Sequence, residues 1–342
     1  MSSPVNDRRR LLLKGAAAGA ALSRLAFAGT AQAAPAKLAA ASQLGPLRQI
    51  DAGSLNIGYH ESGPAGGPPV LLLHGYPYSV YSFVEVAPML AARGYRVIVP
   101  HLRGHGPTRF LDSATPRSGQ QAAIGTDVIA LMDALAIPRA VLAGFDWGGR
   151  AACVAAALWP QRCAGLVSVN SYLIQDIARS VLPVPPQIES GLWYQYYFQT
   201  ERGRAGLEAH RRDVARVIWK RNSPGWQFDD TVLDRAATVF ENPDYVEVVI
   251  HSYRHRLGLA AGFPEYEAAE RRLAAQPVIT VPAVTLDGKT DGNYPATDGK
   301  SSASRFSGPR IHRVVEDAGH NLPEEAPGAF AGAVVEVGGM VL

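Results

Sequence analysis

The chain has 342 residues, 47% of them hydrophobic, with 33 lysines and arginines against 30 aspartates and glutamates. That apolar content suffices for one large globular core with an inserted module. The formal net charge of +3 sits at the start: residues 1–33 hold Arg8, Arg9, Arg10, Lys14 and Arg24 against Asp7 alone, leaving 28 basic and 29 acidic residues in the rest. The charge therefore gives no reason to expect a nucleic-acid or anionic-membrane partner.

In chain order, the first element is an export signal. Arg9-Arg10-Leu11-Leu12-Leu13-Lys14 fits the twin-arginine pattern R-R-x-Φ-Φ-K, and a weakly apolar run leads to Ala31-Gln32-Ala33 as a small-residue cleavage site, with Ala26-Phe27-Ala28 as a second. Residues 1–33 are thus expected to engage the twin-arginine export machinery, giving a periplasmic or secreted mature protein, with 34–46 as a linker. No later apolar run approaches the ~18 residues of a membrane span.

Leu47 to Glu61 alternates around Ala52-Gly53, as an opening hairpin does. After the turn cluster Pro64 to Pro69, Val70-Leu71-Leu72-Leu73 is a continuous apolar run, as a strand buried on both faces requires. It ends in His74-Gly75-Tyr76-Pro77. A helix is expected over about Tyr81–Arg93, a strand at Tyr95–Val99, then the loop containing Arg103-Gly104-His105-Gly106, and an amphipathic helix over Gln120–Leu135. Strands follow at Arg139–Gly144 and Leu166–Val169.

From about Ser171 to Ala275 no buried strand is expected; a proline cluster gives way to helical segments rich in Trp, Tyr and Arg. Strands resume at Val281–Leu286 and Ile311–Val315, and a last helix lies near Glu325–Val335. Alternating strands and helices predict an α/β fold with a mostly parallel, doubly wound sheet. The core is expected over 47–170 and 276–342, with 171–275 a helical cap above the strand ends, where such sheets bind ligands.

The chemistry turns on Gly144-Phe145-Asp146-Trp147-Gly148-Gly149. Strand, glycine-flanked turn and small-residue helix are the context of a nucleophile elbow, G-x-S-x-G, but the serine position holds Asp146. A carboxylate there displaces a leaving group from saturated carbon and itself becomes an alkyl ester. The plainer role for Asp146 is an N-cap. His320, in Gly319-His320-Asn321, fits a general base. Asp291 and Asp287 both follow one strand; Asp291 is preferred as the acid that orients His320, and the other is expected to form a turn. His251 and His255 are four apart without a third ligand, so no metal site is expected. Cys153 and Cys163 are expected to be free, buried thiols.

These motifs, in this order over about residues 47–337, resemble the α/β-hydrolase fold and, within it, the epoxide hydrolase and haloalkane dehalogenase branch. The resemblance implies an oxyanion hole from the backbone amides of Tyr76 and Trp147, and no cofactor. Tyr194-Gln195-Tyr196-Tyr197-Phe198-Gln199 and Ser252-Tyr253-Arg254 are similar to the two cap segments that supply the epoxide hydrolases with acidic tyrosines. They point to Tyr194 and Tyr253, with Tyr196 and Tyr197 as fallbacks for the first. His74, Trp147 and Tyr197 are expected to contact substrate. Many dehalogenases place the acid after the preceding strand, where this chain has Asn170-Ser171, and follow His-Gly with Asn, where it has Tyr76.

The expected activity is therefore opening of a small apolar epoxide to a diol. The alternatives are halide release from a haloalkane, ester hydrolysis, or ligand binding without catalysis. Nothing in the sequence fixes an oligomeric state.

Overall fold

A computed structural model describes residues 44–340. The export signal and residues 34–43 of the linker lie outside the described residues. Nine strands form one sheet: β1 (Leu47–Ala52), β2 (Leu55–Ser62), β3 (Pro69–Leu73), β4 (Arg96–Pro100), the two-residue β5 (Arg109–Phe110), β6 (Ala140–Gly144), β7 (Cys163–Val169), β8 (Ala283–Gly288) and β9 (Arg310–Val315). Their order is β1-β2-β4-β3-β6-β7-β8-β9, with β5 beside β2. The β1–β2 hairpin and the β2–β4 pair are antiparallel. From β4 to β9 every pairing is parallel. The apolar runs follow from this arrangement, because β6 and β8 are buried at every position, as parallel strands covered on both faces must be.

Helices α1 (Val86–Ala91), α2 (Gln121–Ala134) and α3 (Asp146–Leu158) alternate with the early strands. Between β7 and β8 the chain runs through α4 (Pro186–Glu189), α5 (Trp193–Tyr197), α6 (Glu201–Ala209), α7 (Arg211–Asn222), α8 (Asp230–Ala237), α9 (Tyr245–Arg256) and α10 (Pro264–Ala274). After β9 come α11 (Leu322–Glu325) and α12 (Pro327–Gly339). Two expected helices differ. The first is a 3-10 turn, Val80–Phe83, followed by the short α1. Pro88 lacks an N–H and belongs in a first turn, so one helix cannot run through it from Tyr81. The last breaks at Pro327, which starts α12 for the same reason.

Strand order places the site. The chain steps from β3 outward to β4 on one side, then returns to lay β6 against the other side of β3. The crevice at such a switch point opens at the carboxyl ends of the strands. Here those ends carry His74-Gly75-Tyr76 after β3 and Asp146 after β6.

The inserted helices are anchored to this edge. Trp219 on α7 lies flat on Tyr78, with ring centroids 5.3 Å apart and planes 6° from parallel. Its indole N–H donates to Pro77 O at 2.8 Å. Trp219 is fully buried in this contact. Trp226 and Phe228 stack behind it. Both cysteines are free and buried.

Candidate active site

Only Phe145 separates the end of β6 from the start of α3. Asp146 turns the chain with φ +50°, a conformation that costs a non-glycine residue about 1–3 kcal/mol and that Asp tolerates better than most. The turn needs bare backbone around it. A Cβ on Gly148 would run into the Leu73 carbonyl oxygen, and one on Gly75 would stand 2.6 Å from Asp146 Cβ.

The carboxylate is thereby thrust above the sheet, and its side chain is 10% exposed. The Tyr76 N–H donates to Asp146 Oδ1 at 2.7 Å. The Trp147 amide follows at the first turn of α3, where N–H groups have no intrahelical acceptor and the helix dipole favours negative charge.

His320 is fully buried in the loop after β9. Its Nδ1 lies 2.8 Å from Asp291 Oδ2, and its Nε2 stands 3.5 Å from Asp146 Oδ2, an ion-pair contact rather than a hydrogen bond. Asp291 is held from the other side, since Oδ1 accepts the N–H groups of Asn293 at 2.7 Å and Tyr294 at 2.9 Å. Asn170, which stands where the dehalogenases carry their acid, donates to Asp291 Oδ2 at 3.1 Å. Asp287 is engaged elsewhere: its Oδ2 accepts the N–H and hydroxyl of Thr297.

The His320 backbone is fixed by Ser223, just past α7. The His320 N–H donates to Ser223 Oγ at 2.9 Å, and that hydroxyl donates to Glu325 at 2.6 Å. Sequence reasoning missed Ser223, Glu325, Asn170 and Tyr294. Only Asn170 carried a signal, its position after β7.

Charge follows from these contacts. Burial raises the Asp146 pKa, but His320, the Tyr76 N–H and Arg256 outweigh it, so the carboxyl sits below its usual range. Burial opposes a charge on His320, yet Asp291 and Asp146 together hold it well above the usual imidazole value. Both shifts favour the charged forms, carboxylate and imidazolium.

Tyr194 and Tyr253 meet edge to face, with centroids 5.4 Å apart and planes at 90°, and both rings pack on Tyr76. Burial first pushes both phenols up, followed by the Asp146 charge for Tyr194 and by Tyr194 and then Asp146 for Tyr253, so they stay protonated at neutral pH. The Tyr253 hydroxyl has no hydrogen-bond partner among the described residues. The Tyr194 oxygen accepts only a long 3.4 Å contact from Gln195, which leaves its hydrogen free. The Trp147 indole stacks on Tyr76 at 5.4 Å, and its N–H has no partner among the described residues.

Two residues expected to contact substrate have their polar atoms engaged elsewhere. His74 is braced by backbone at both ring nitrogens: Nε2 accepts from Leu102 N at 3.2 Å and Nδ1 donates to Gly75 O at 2.9 Å. Burial lowers its pKa to about 4, so it is a neutral strut with no free polar atom for substrate. Tyr197 points its hydroxyl at Gly206 on α6 and packs on Trp193 and Phe198, not toward Asp146. Tyr196 faces outward and bonds Glu189. His251 accepts from Gly119 N and faces Ala261 O, and no group of three metal-ligating side chains occurs among the described residues. Among these residues no helix is long and apolar enough to cross a membrane.

Comparison with known proteins bears on the fold and on the relatives of this chain. The α/β-hydrolase fold family matches residues 68–218. A crystal structure of a candidate epoxide hydrolase from Klebsiella pneumoniae is 50% identical, with a TM-score of 0.85, covering 87% of this chain and 99% of that one. The chain belongs to the α/β-hydrolase fold family. Among its relatives in that family, epoxide hydrolase A of Mycobacterium tuberculosis is 28% identical over 317 residues, 84% of this chain and 96% of that protein. An epoxide hydrolase of Caballeronia sordidicola is 29% identical over 270 residues, 72% of this chain and 80% of that protein. This α/β-hydrolase is epoxide hydrolase-like.

Proposed function

We propose that the protein hydrolyses an epoxide to a diol through a covalent ester on Asp146. The observation that carries this reading is a carboxylate at the elbow, 2.7 Å from the Tyr76 amide and 3.5 Å from His320 Nε2, with the buried phenols Tyr194 and Tyr253 packed on the same Tyr76. Asp146 attacks an oxirane carbon. The C–O bond breaks, and the ring oxygen takes a proton from Tyr194 or Tyr253, whose hydrogens are otherwise unspent. The product of this half-reaction is a hydroxyalkyl ester.

Esterification removes the Asp146 charge. His320 then loses one of the two carboxylates that oppose its burial, so its pKa falls and its proton passes to the tyrosinate left by ring opening. The neutral Nε2 can now take a proton from water as that water attacks the ester carbonyl, while Asp291 keeps the other proton on Nδ1. The Tyr76 and Trp147 amides hold the oxyanion. On collapse the Nε2 proton goes to the departing alkoxide, which leaves as the diol, and the new Asp146 carboxyl gives its proton to His320, restoring the resting pair. The same charge change that ends the first half-reaction switches on the base for the second.

In a single turnover in H₂¹⁸O, one ¹⁸O should enter Asp146 and none the diol, and Asp146→Ala should form no diol. Label found only in the diol would refute the covalent route. The unpartnered Trp147 N–H is the one feature that favours a second reading, halide release. Bromoalkane turnover without epoxide turnover would decide for it.

A further inference from the structure

A cleft of about 540 Å³ adjoins the reacting groups. Three of its lining residues touch them directly. Gln195 contacts the Tyr194 hydroxyl, the Tyr294 ring stacks on His320 at 5.9 Å, and Arg256 lies over the Tyr253 ring at 5.1 Å. Arg150, on the first turns of α3, lines the same cleft.

Arg150 and Arg256 are each only 6% exposed, and among the described residues their hydrogen bonds go to Leu173 O and Gln175 rather than to a carboxylate. Arg150 donates from Nη1 to Leu173 O at 2.6 Å, and its buried Nε has no partner. Arg256 donates from Nε to Gln175 at 2.9 Å. The two guanidinium groups repel each other, and burial with that repulsion lowers Arg150 to about 10. Nearby carboxylates are committed elsewhere. Glu270 caps α2 through Ala122 N and is held by Gln120 and Gln121. Glu189, on the rim, accepts from Val184 N and Tyr196. Asp176 also lines the cleft but pairs with neither arginine. Around the nucleophile, Asp146 and Asp291 therefore face three cations, His320, Arg150 and Arg256, and esterifying Asp146 widens that excess.

Asp146 lends its charge to both guanidinium groups, and, against burial, the nearby phenols and Asp146 hold Arg256 above its usual value, but neither arginine has a hydrogen-bonded carboxylate of its own; buried charges lacking such a partner are costly unless something completes them. A carboxylate fits, because guanidinium groups bind it with paired, charge-assisted hydrogen bonds. We propose that Arg150 and Arg256 bind the carboxylate of an anionic epoxide, placing its oxirane over Asp146. The substrate class is then an epoxy acid, not the wholly apolar epoxide expected from the cap aromatics. This inference rests on the epoxide hydrolase reading.

The test compares acid and amide forms of two epoxides on the full chain: 3-phenylglycidate with its amide, and 9,10-epoxystearate with its amide. The first pair represents small acids and the second fatty acids. In at least one pair kcat/KM should favour the acid by about tenfold or more, the size of a charge-assisted hydrogen bond. That ratio should fall toward one in Arg150→Met and Arg256→Met. Equal use of acid and amide in both pairs, or a ratio untouched by both variants, overturns the proposal.

Failure of the underlying reading looks different, since then none of the four compounds gives a diol. Calorimetric titration with phenylacetate and phenylacetamide still tests the anion site in that case. Tighter binding of the acid, weakened in the arginine variants, supports the site. No preference for the acid overturns it.

Discussion

Asp291→Asn tests the direction of the proton path. The carboxylate accepts two backbone N–H groups on Oδ1, from Asn293 and Tyr294, and on Oδ2 it meets His320 Nδ1 and the Asn170 amide. An asparagine has one oxygen to offer. Turned toward His320, it would aim its NH₂ at two fixed backbone donors, leaving each buried N–H unsatisfied at about 1–3 kcal/mol. The oxygen should therefore stay with the backbone, and the NH₂ should face His320. The imidazole can answer only as an acceptor at Nδ1, with its proton moved to Nε2, where a base is needed. Such a tautomer trap lowers the base-dependent step by on the order of 10⁴. Attack by Asp146 on the epoxide needs no base and should persist. The variant should then accumulate an ester, seen in rapid-quench intact-mass spectra as a gain of one substrate mass. Asp287→Asn should not, because Asp287 bonds Thr297. Steady diol release from Asp291→Asn, or ester trapping by Asp287→Asn instead, would refute the assignment.

Asp146→Asn should lower the His320 pKa, because it removes one of the two carboxylates that raise it; imidazole NMR titration reads the shift, and an unmoved value would break the switching argument. The sign carries into stability. A His320 pKa raised by folding stabilises the wild type fully below the unfolded value near 6.5, and that contribution is lost as pH rises through the folded value. In Asp146→Asn it should be smaller and lost at lower pH, as chemical denaturation across pH would report. Tyr194→Phe and Tyr253→Phe should each slow ester formation by about 10-fold to 100-fold, and the double variant by on the order of 10²–10⁴; stopped-flow tryptophan fluorescence follows that step, and a double variant at wild-type rate would remove the phenols from the chemistry. Gly148→Ala should destabilise the fold by about 3 kcal/mol or more, since its Cβ meets the Leu73 carbonyl. An unchanged thermal midpoint would mean that the elbow is looser than drawn.

What the sequence disclosed is what neighbouring residues decide. Buried parallel strands show as unbroken apolar runs, and the elbow shows as glycines at fixed spacing around Asp146. The rest depends on segments far apart in the chain meeting. Asp287 and Asp291 leave the same strand four residues apart, yet only the turn that lifts Asp291 from β8 delivers a carboxylate to His320, 29 positions on. His74 has the chemistry of a ligand-binding residue, and its partner Leu102 N becomes visible only once β3 and the loop after β4 lie side by side. Tyr194 and Tyr197 share one short helix, and where α6 and α9 pack decides that the first meets Tyr253 and the second meets Gly206.

Arg150 was in plain view, two residues past Gly148, but an arginine on a helix ordinarily reaches water, and no local pattern marks one that does not. Its meaning appears only with Arg256, more than a hundred residues later. That pairing bears on how an aspartate could serve as the proposed nucleophile. A buried carboxylate pays a desolvation penalty that would leave it protonated and inert. His320 and the Tyr76 amide offset it in the resting state, and Arg256 adds its charge to theirs. On the proposed mechanism Arg256 has two effects on one reaction, keeping Asp146 ionised before substrate arrives and supplying a counter-charge for a substrate anion. The two separate by experiment, because the first acts equally on acid and amide substrates, whereas the second acts on their ratio.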